Sequence, residues 1–87
     1  MYMILCYDVG TERVGRVHKA AKKYLHPVQK SVFEGTLTES ELQRLKTEIA
    51  RLIEPEQDAV AIYRFPSPGG VMKEQIGTIL EKDYQFL

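Results

Sequence analysis

Several residue types that carry protein chemistry are scarce here: the sequence holds one cysteine, two histidines and no tryptophan. The single Cys6 permits no internal disulfide, which fits a reducing cytoplasm. One cysteine and two separated histidines, His18 and His26, also exclude a four-ligand structural zinc site of the usual kind. Long apolar runs are missing too. The longest near the start covers residues 1–7, far short of the ~20 residues a membrane span needs. No basic segment precedes it, so a secretory signal and a membrane partner are not expected. There is neither an internal repeat nor a low-complexity stretch. The 87 residues are expected to form one domain, residues 1–87, around one core.

Net charge is absent as well, because twelve Lys and Arg balance twelve Asp and Glu. Neutrality alone argues against a nucleic-acid binder, whose usual footprint is a basic excess. The balance conceals a split. Residues 1–30 hold Arg13, Arg16, Lys19, Lys22, Lys23 and Lys30 against Asp8 and Glu12, a net of +4, and the remainder carries −4. Local charge steers polyanions more than the total does.

Residues 2–9 read as a short strand, apolar on both faces and ended by Gly10. Residues 11–25 read as a helix with Thr11 as N-cap. Val14, Val17, Ala21, Tyr24 and Leu25 form its apolar stripe, and Pro27 ends it at or before His26. Residues 28–37 are extended, with a reversal or bulge near Gln29 to Ser31. Thr38-Glu39-Ser40-Glu41 is a capping box ahead of a helix whose stripe is Leu42, Leu45, Ile49, Leu52 and Ile53. Residues 58–65 read as a strand and residues 66–70 as a loop. A further short strand is expected around residues 74–78, and another near residue 87.

This order of elements predicts an α+β, ferredoxin-like fold: an antiparallel sheet with two helices on one face. Little chain remains to cover the other face. Dimerisation through that open face is therefore expected, with residues 71–87 adding to the partner's sheet.

Among residues that could carry chemistry, Asp8 stands out at the end of a buried strand, where a carboxylate is costly unless paired, hydrated or bound to a cation. It is a candidate ligand for a hard metal such as Mg²⁺, or else a cap for the following turn. One Asp per chain makes a poor metal site, and a twofold axis nearby would supply two. Tyr7 precedes it, and Ser31 and Phe33 flank Val32 in the later extended segment. Each also has a purely structural reading: core packing for the aromatics, a turn for Ser31. Arg13, Arg16, Lys19 and Lys23 lie along one side of the first helix, with no acid after Glu12 to pair with. That stripe fits either a solvated face or phosphate contacts. His18 is expected to be half-buried packing, His26 exposed, and Cys6 a small core residue.

Taken together, Tyr7-Asp8-Val9, the basic helix, the string Val28-Gln29-Lys30-Ser31-Val32-Phe33-Glu34-Gly35 and the capping Thr38 resemble a known family. It is the small CRISPR-associated endonuclease family (Cas-two), the non-integrase subunit of the spacer-acquisition complex. The resemblance runs from about Met3 to Phe65. It implies a homodimer in which the two Asp8 residues meet and hold Mg²⁺, with Tyr7, Ser31 and Phe33 shaping a catalytic site for single-stranded RNA or double-stranded DNA. It also implies an integrase partner and contacts from Arg13, Arg16, Lys19 and Lys23 to prespacer DNA. Pro27 and Gly15 depart from the family pattern, each standing where a basic residue is common. Two alternatives accompany this reading. One is a non-catalytic DNA-binding adaptor that bridges integrase subunits. The other is a toxin-type ribonuclease of the related virulence-associated protein D family, from which the Ser-Val-Phe-Glu string separates it.

Overall fold

A computed structural model of the chain describes residues 1–65 and 70–78. The elements run β1 (Tyr2–Asp8), α1 (Thr11–Lys22), β2 (His26–Gln29), β3 (Val32–Thr36), α2 (Glu39–Leu52), β4 (Ala59–Phe65) and β5 (Met72–Gly77). The five strands form one sheet in the order β2-β3-β1-β4-β5. Every neighbouring pair is antiparallel. The first four strands with α1 and α2 make the expected α+β, ferredoxin-like arrangement.

Strand parity divides the sheet's faces. Met3, Leu5 and Tyr7 of β1 share the main core with Phe33, Val60 and Ile62, and with Val17 and Ala21 of α1 and Leu42, Leu45 and Ile49 of α2. Both helices therefore cover one face. The even residues of β1 point the other way. Cys6 packs there with Val32, Ala59 and Ala61, and Ile4 and Tyr63 join them.

The capping box forms as expected: Thr38 Oγ1 accepts from Glu41 N–H at 3.1 Å, and the Thr38 N–H donates to Glu41 Oε1 at 2.9 Å. The start of α1 differs from expectation. Its N-cap is Gly10, not Thr11, and no side chain caps it. The Gly10 N–H is taken instead by Asp58 Oδ1 at 2.9 Å, which fixes the chain one residue earlier. The helix also ends earlier than Pro27 requires. Tyr24 and Leu25 N–H both donate to the Ala21 carbonyl, tightening the last turn and burying Leu25 against Gly35. A Cβ at Gly35 would lie 2.9 Å from Leu25 Cδ2, so this close approach needs glycine.

Pro27 and the exposed His26 lie in β2 rather than in a turn. An edge strand tolerates proline, and the register shifts between Pro27 and Gln29. The reversal follows at Lys30-Ser31, with Ser31 at φ 64°. Residues 71–87, read from sequence as an addition to a partner's sheet, contain β5. Met72–Gly77 pairs with β4 of its own chain through six register positions, from Ala59↔Gly77 to Arg64↔Met72. The expected last strand and most of the 66–70 loop lie outside the described residues.

Candidate active site

Asp8 ends β1 on the sheet face away from the helices, and its side chain is exposed. Among the described residues it accepts no side-chain hydrogen bond and makes no ion pair. Of the two readings open to Asp8, the cap is not the one formed: Gly10 is the N-cap of α1 and no side chain caps it. Its strand neighbour on β4 is Ala59, and Cys6 and Ile4 precede it on the same face. Asp8 thus stands at one end of an apolar strip made by Ile4, Cys6, Val32, Ala59, Ala61 and Tyr63.

Tyr7 and Phe33 do not join Asp8. Their odd positions aim them at the helices, where Tyr7 is 5% and Phe33 0% exposed. Their rings stack with centroids 6.1 Å apart, and the His18 ring meets Phe33 edge-on at 5.1 Å. Tyr7 Oη lies 3.4 Å from His18 Nδ1. Burial pushes the Tyr7 phenol up from its ordinary value. This aromatic cluster is a floor beneath the strand ends, and no nucleobase reaches Phe33 without repacking. Ser31 does come alongside. Its carbonyl accepts the Tyr7 N–H at 3.1 Å, which carries the β1–β3 pairing to the residue before Asp8.

The buried carboxylate is Asp58, at 0% exposure. It accepts from Arg13 Nε at 2.6 Å and Nη2 at 2.9 Å, from Gly10 N–H at 2.9 Å and from Glu54 N–H at 2.7 Å. The Arg13 guanidinium, aided by the two backbone donors, holds the Asp58 carboxyl well below the usual carboxylate range despite burial. Arg13 is accordingly turned inward, and Glu12 takes its remaining face at 2.8 Å. Sequence reading missed Asp58 because its partner lies 45 residues away and nothing local marks it.

The rest of the basic stripe is outward. Arg16 and Lys19 are exposed on α1, and Lys23 pairs across the helix layer with Glu48. A shallow groove between the helices is lined by Arg16, Lys19, Lys23 and Glu48. A second, beside it, adds Arg44 and Arg51 of α2. The seven-residue spacing of Arg44 and Arg51 was the available signal that α2 extends this basic face. Among the described residues no helix is long and apolar enough to cross a membrane, and no three His, Cys, Asp or Glu side chains gather as a metal cluster.

Comparison with known proteins decides the family. A sequence model described as CRISPR associated protein Cas2 matches residues 1–69. The chain belongs to the Cas2 family. Over 82 residues it is 45% identical to the CRISPR-associated endoribonuclease Cas2 of Methanothermobacter thermautotrophicus, covering 94% of this chain and 88% of that one. The CRISPR-associated endoribonuclease Cas2 of Thermotoga maritima is 42% identical over 77 residues, 88% of either chain. Among solved structures, a crystal structure of Cas2 at 47% identity superposes with a TM-score of 0.74, covering 80% of this chain and 79% of that one. Streptococcus pyogenes Cas2 at pH 6.5, 31% identical, gives 0.69 over 75% of this chain and 86% of that one. Cas2 membership also sets aside the toxin-type alternative.

Proposed function

We propose that this Cas2 chain works as a homodimeric, Mg²⁺-dependent endonuclease that hydrolyses phosphodiester bonds in single-stranded RNA, the chemistry its relatives' names support. The observation that carries this reading is the placement of Asp8: exposed, unpartnered among the described residues, and at the end of an apolar face. An apolar strip with polar edges suits burial against a second copy. Apposed copies would bring a second Asp8 to the first. Mg²⁺ takes one or two carboxylates and completes its shell with water, so two Asp8 side chains fit it where one fits poorly. A bound ion would supply charge stabilisation at the phosphate and a more acidic water. The two Asp8 carboxylates would hold it, while Ser31 offers a hydroxyl at the rim to orient the phosphate. Tyr7 and Phe33 act only from beneath, as the floor that keeps the strand ends in place.

A second reading is favoured by a separate observation. Arg16, Lys19, Arg44 and Arg51 lie on the helical layer, on the opposite side of the sheet from Asp8. Such a layer suits backbone contacts to duplex DNA, as in a cytoplasmic adaptor that docks prespacer DNA beside an integrase subunit during CRISPR spacer acquisition. The two readings separate in one experiment. Single-stranded RNA and duplex DNA are incubated with wild type and Asp8→Ala, with and without Mg²⁺. Mg²⁺-dependent cleavage by wild type alone, with duplex binding retained in Asp8→Ala, is the expected result. Equal cleavage by both proteins overturns the metal assignment. Binding without any cleavage by wild type leaves the adaptor.

A further inference from the structure

Asp58 and Arg13 form a latch on the segment that follows Asp8. Asp8 pairs with Ala59 across the β1–β4 register, and Asp58 is the residue just before Ala59, where β1 ends and β4 begins. One of the four donors to its carboxylate is the Gly10 N–H, two residues after Asp8. The other three reach the first turn of α1, through Arg13 Nε and Nη2, and the α2–β4 connection, through the Glu54 N–H. The Asp58 backbone carbonyl meanwhile accepts the Thr78 N–H at 2.9 Å. Gly77, at φ 87°, passes so close that any Cβ there would strike this same carbonyl. One buried residue thus ties together the exit of β1, the start of α1, the entry to β4 and the end of β5.

Stability alone is a poor reason for this arrangement. A buried ion pair is often no more stabilising than apolar residues of similar volume. A bidentate guanidinium–carboxylate fork supplies geometry instead, since its two parallel bonds fix orientation as well as distance. Asp8 needs that service. Its side chain is exposed and, among the described residues, has no hydrogen bond or ion pair to orient it, so the backbone through Val9 and Gly10 sets where the carboxylate points. A metal ligand must be held to about 0.5 Å of its working position, and that precision comes from the supporting shell.

We propose that the Asp58–Arg13 latch positions Asp8 for cation binding, and that Arg13 serves as a positioning residue in place of a phosphate contact. This rests on reading Asp8 as the metal ligand. The test is a Mn²⁺ titration of the full chain, read by paramagnetic broadening of backbone amide signals around Asp8. Wild type, Asp58→Asn, Arg13→Lys and Asp8→Ala are compared, with the exchange rate of the Gly10 amide recorded in each. Arg13→Lys keeps the charge, loses the fork and serves if Asp58→Asn does not fold. Faster Gly10 exchange and a half-saturating Mn²⁺ concentration raised roughly ten-fold are expected in both latch variants, as for other supporting residues of metal sites. Cleavage lost at limiting Mn²⁺ should return at saturating Mn²⁺. A wild-type Mn²⁺ midpoint in a folded latch variant, while Asp8→Ala abolishes the broadening, overturns the latch alone. Unchanged broadening in Asp8→Ala overturns the metal reading, and the latch with it.

Discussion

Asp8 and Asp58 exchange the roles that their surroundings in the sequence assign. Asp8 ends an apolar strand, where a carboxylate must be paired, hydrated or metal-bound; its side chain is exposed at the end of β1, on the face away from the helices. Asp58 opens an apolar strand without any nearby partner, yet it is the buried and fully hydrogen-bonded carboxylate. Its lowered pKa has a definite consequence for acid stability. The unfolded carboxyl titrates near ~3.9, and the folded one titrates lower. The stabilisation is therefore complete above the unfolded value and is lost as pH falls from there through the folded value. Asp58→Asn should cost about 3 kcal/mol at pH 7, as expected for breaking a buried pair. The gap to wild type should narrow below about pH 3.9. Urea unfolding at pH 7 and at the lowest pH where wild type remains folded measures both. What was legible at this scale was residue type: Asp8, Ser31 and the basic side chains were all named from sequence. What was not legible was partnership. Arg13 and Asp58 meet only because β1 ends beside the start of β4.

Elements were more legible than contacts because their signals are local. The α2 box needs only Thr38 and Glu41, three residues apart, and both of its bonds form. Hydrogen bonding to the Thr38 backbone N–H lowers the Glu41 carboxyl pKa. Thr38→Ala should cost about 1 kcal/mol in thermal or urea unfolding without altering nucleic-acid binding. The start of α1 was misplaced by one residue because its cap arrives from a distant loop, through Asp58. Helix α1 stops early because Leu25 must reach Gly35, again a tertiary demand. The charge of α1 was correctly located, but its use divides. Arg13 is committed inward, Lys23 is shared with Glu48, and Arg16 and Lys19 face solvent. On β4 and β5 a network does comparable work: Arg64 bonds Glu39 and Glu74, and Lys46 pairs with Glu74. Lys46, and then Arg64, draws the Glu74 pKa down. This network ties α2 to the strand β5 that the ferredoxin-like core lacks.

For the whole molecule, the sheet face away from the helices is the decisive surface. Its centre is apolar, with Ile4, Cys6, Val32 and Tyr63 lining one groove, and Gln29 and Lys73 at its edges. A charge placed there would meet no partner in a sheet-to-sheet contact and would oppose association. Ile4→Glu should therefore shift the proposed dimer toward monomer, as measured by analytical ultracentrifugation. Cleavage should fall with it, although Asp8 is untouched. The same parity that divides the two faces has a genetic corollary. Along β1, residues packed beneath the helices (Met3, Leu5, Tyr7) alternate one by one with residues of the proposed assembly and metal-binding face (Ile4, Cys6, Asp8). A saturation library over seven codons would sort into two interleaved allele classes, one temperature-sensitive and recessive, the other well expressed and capable of poisoning a wild-type copy in trans.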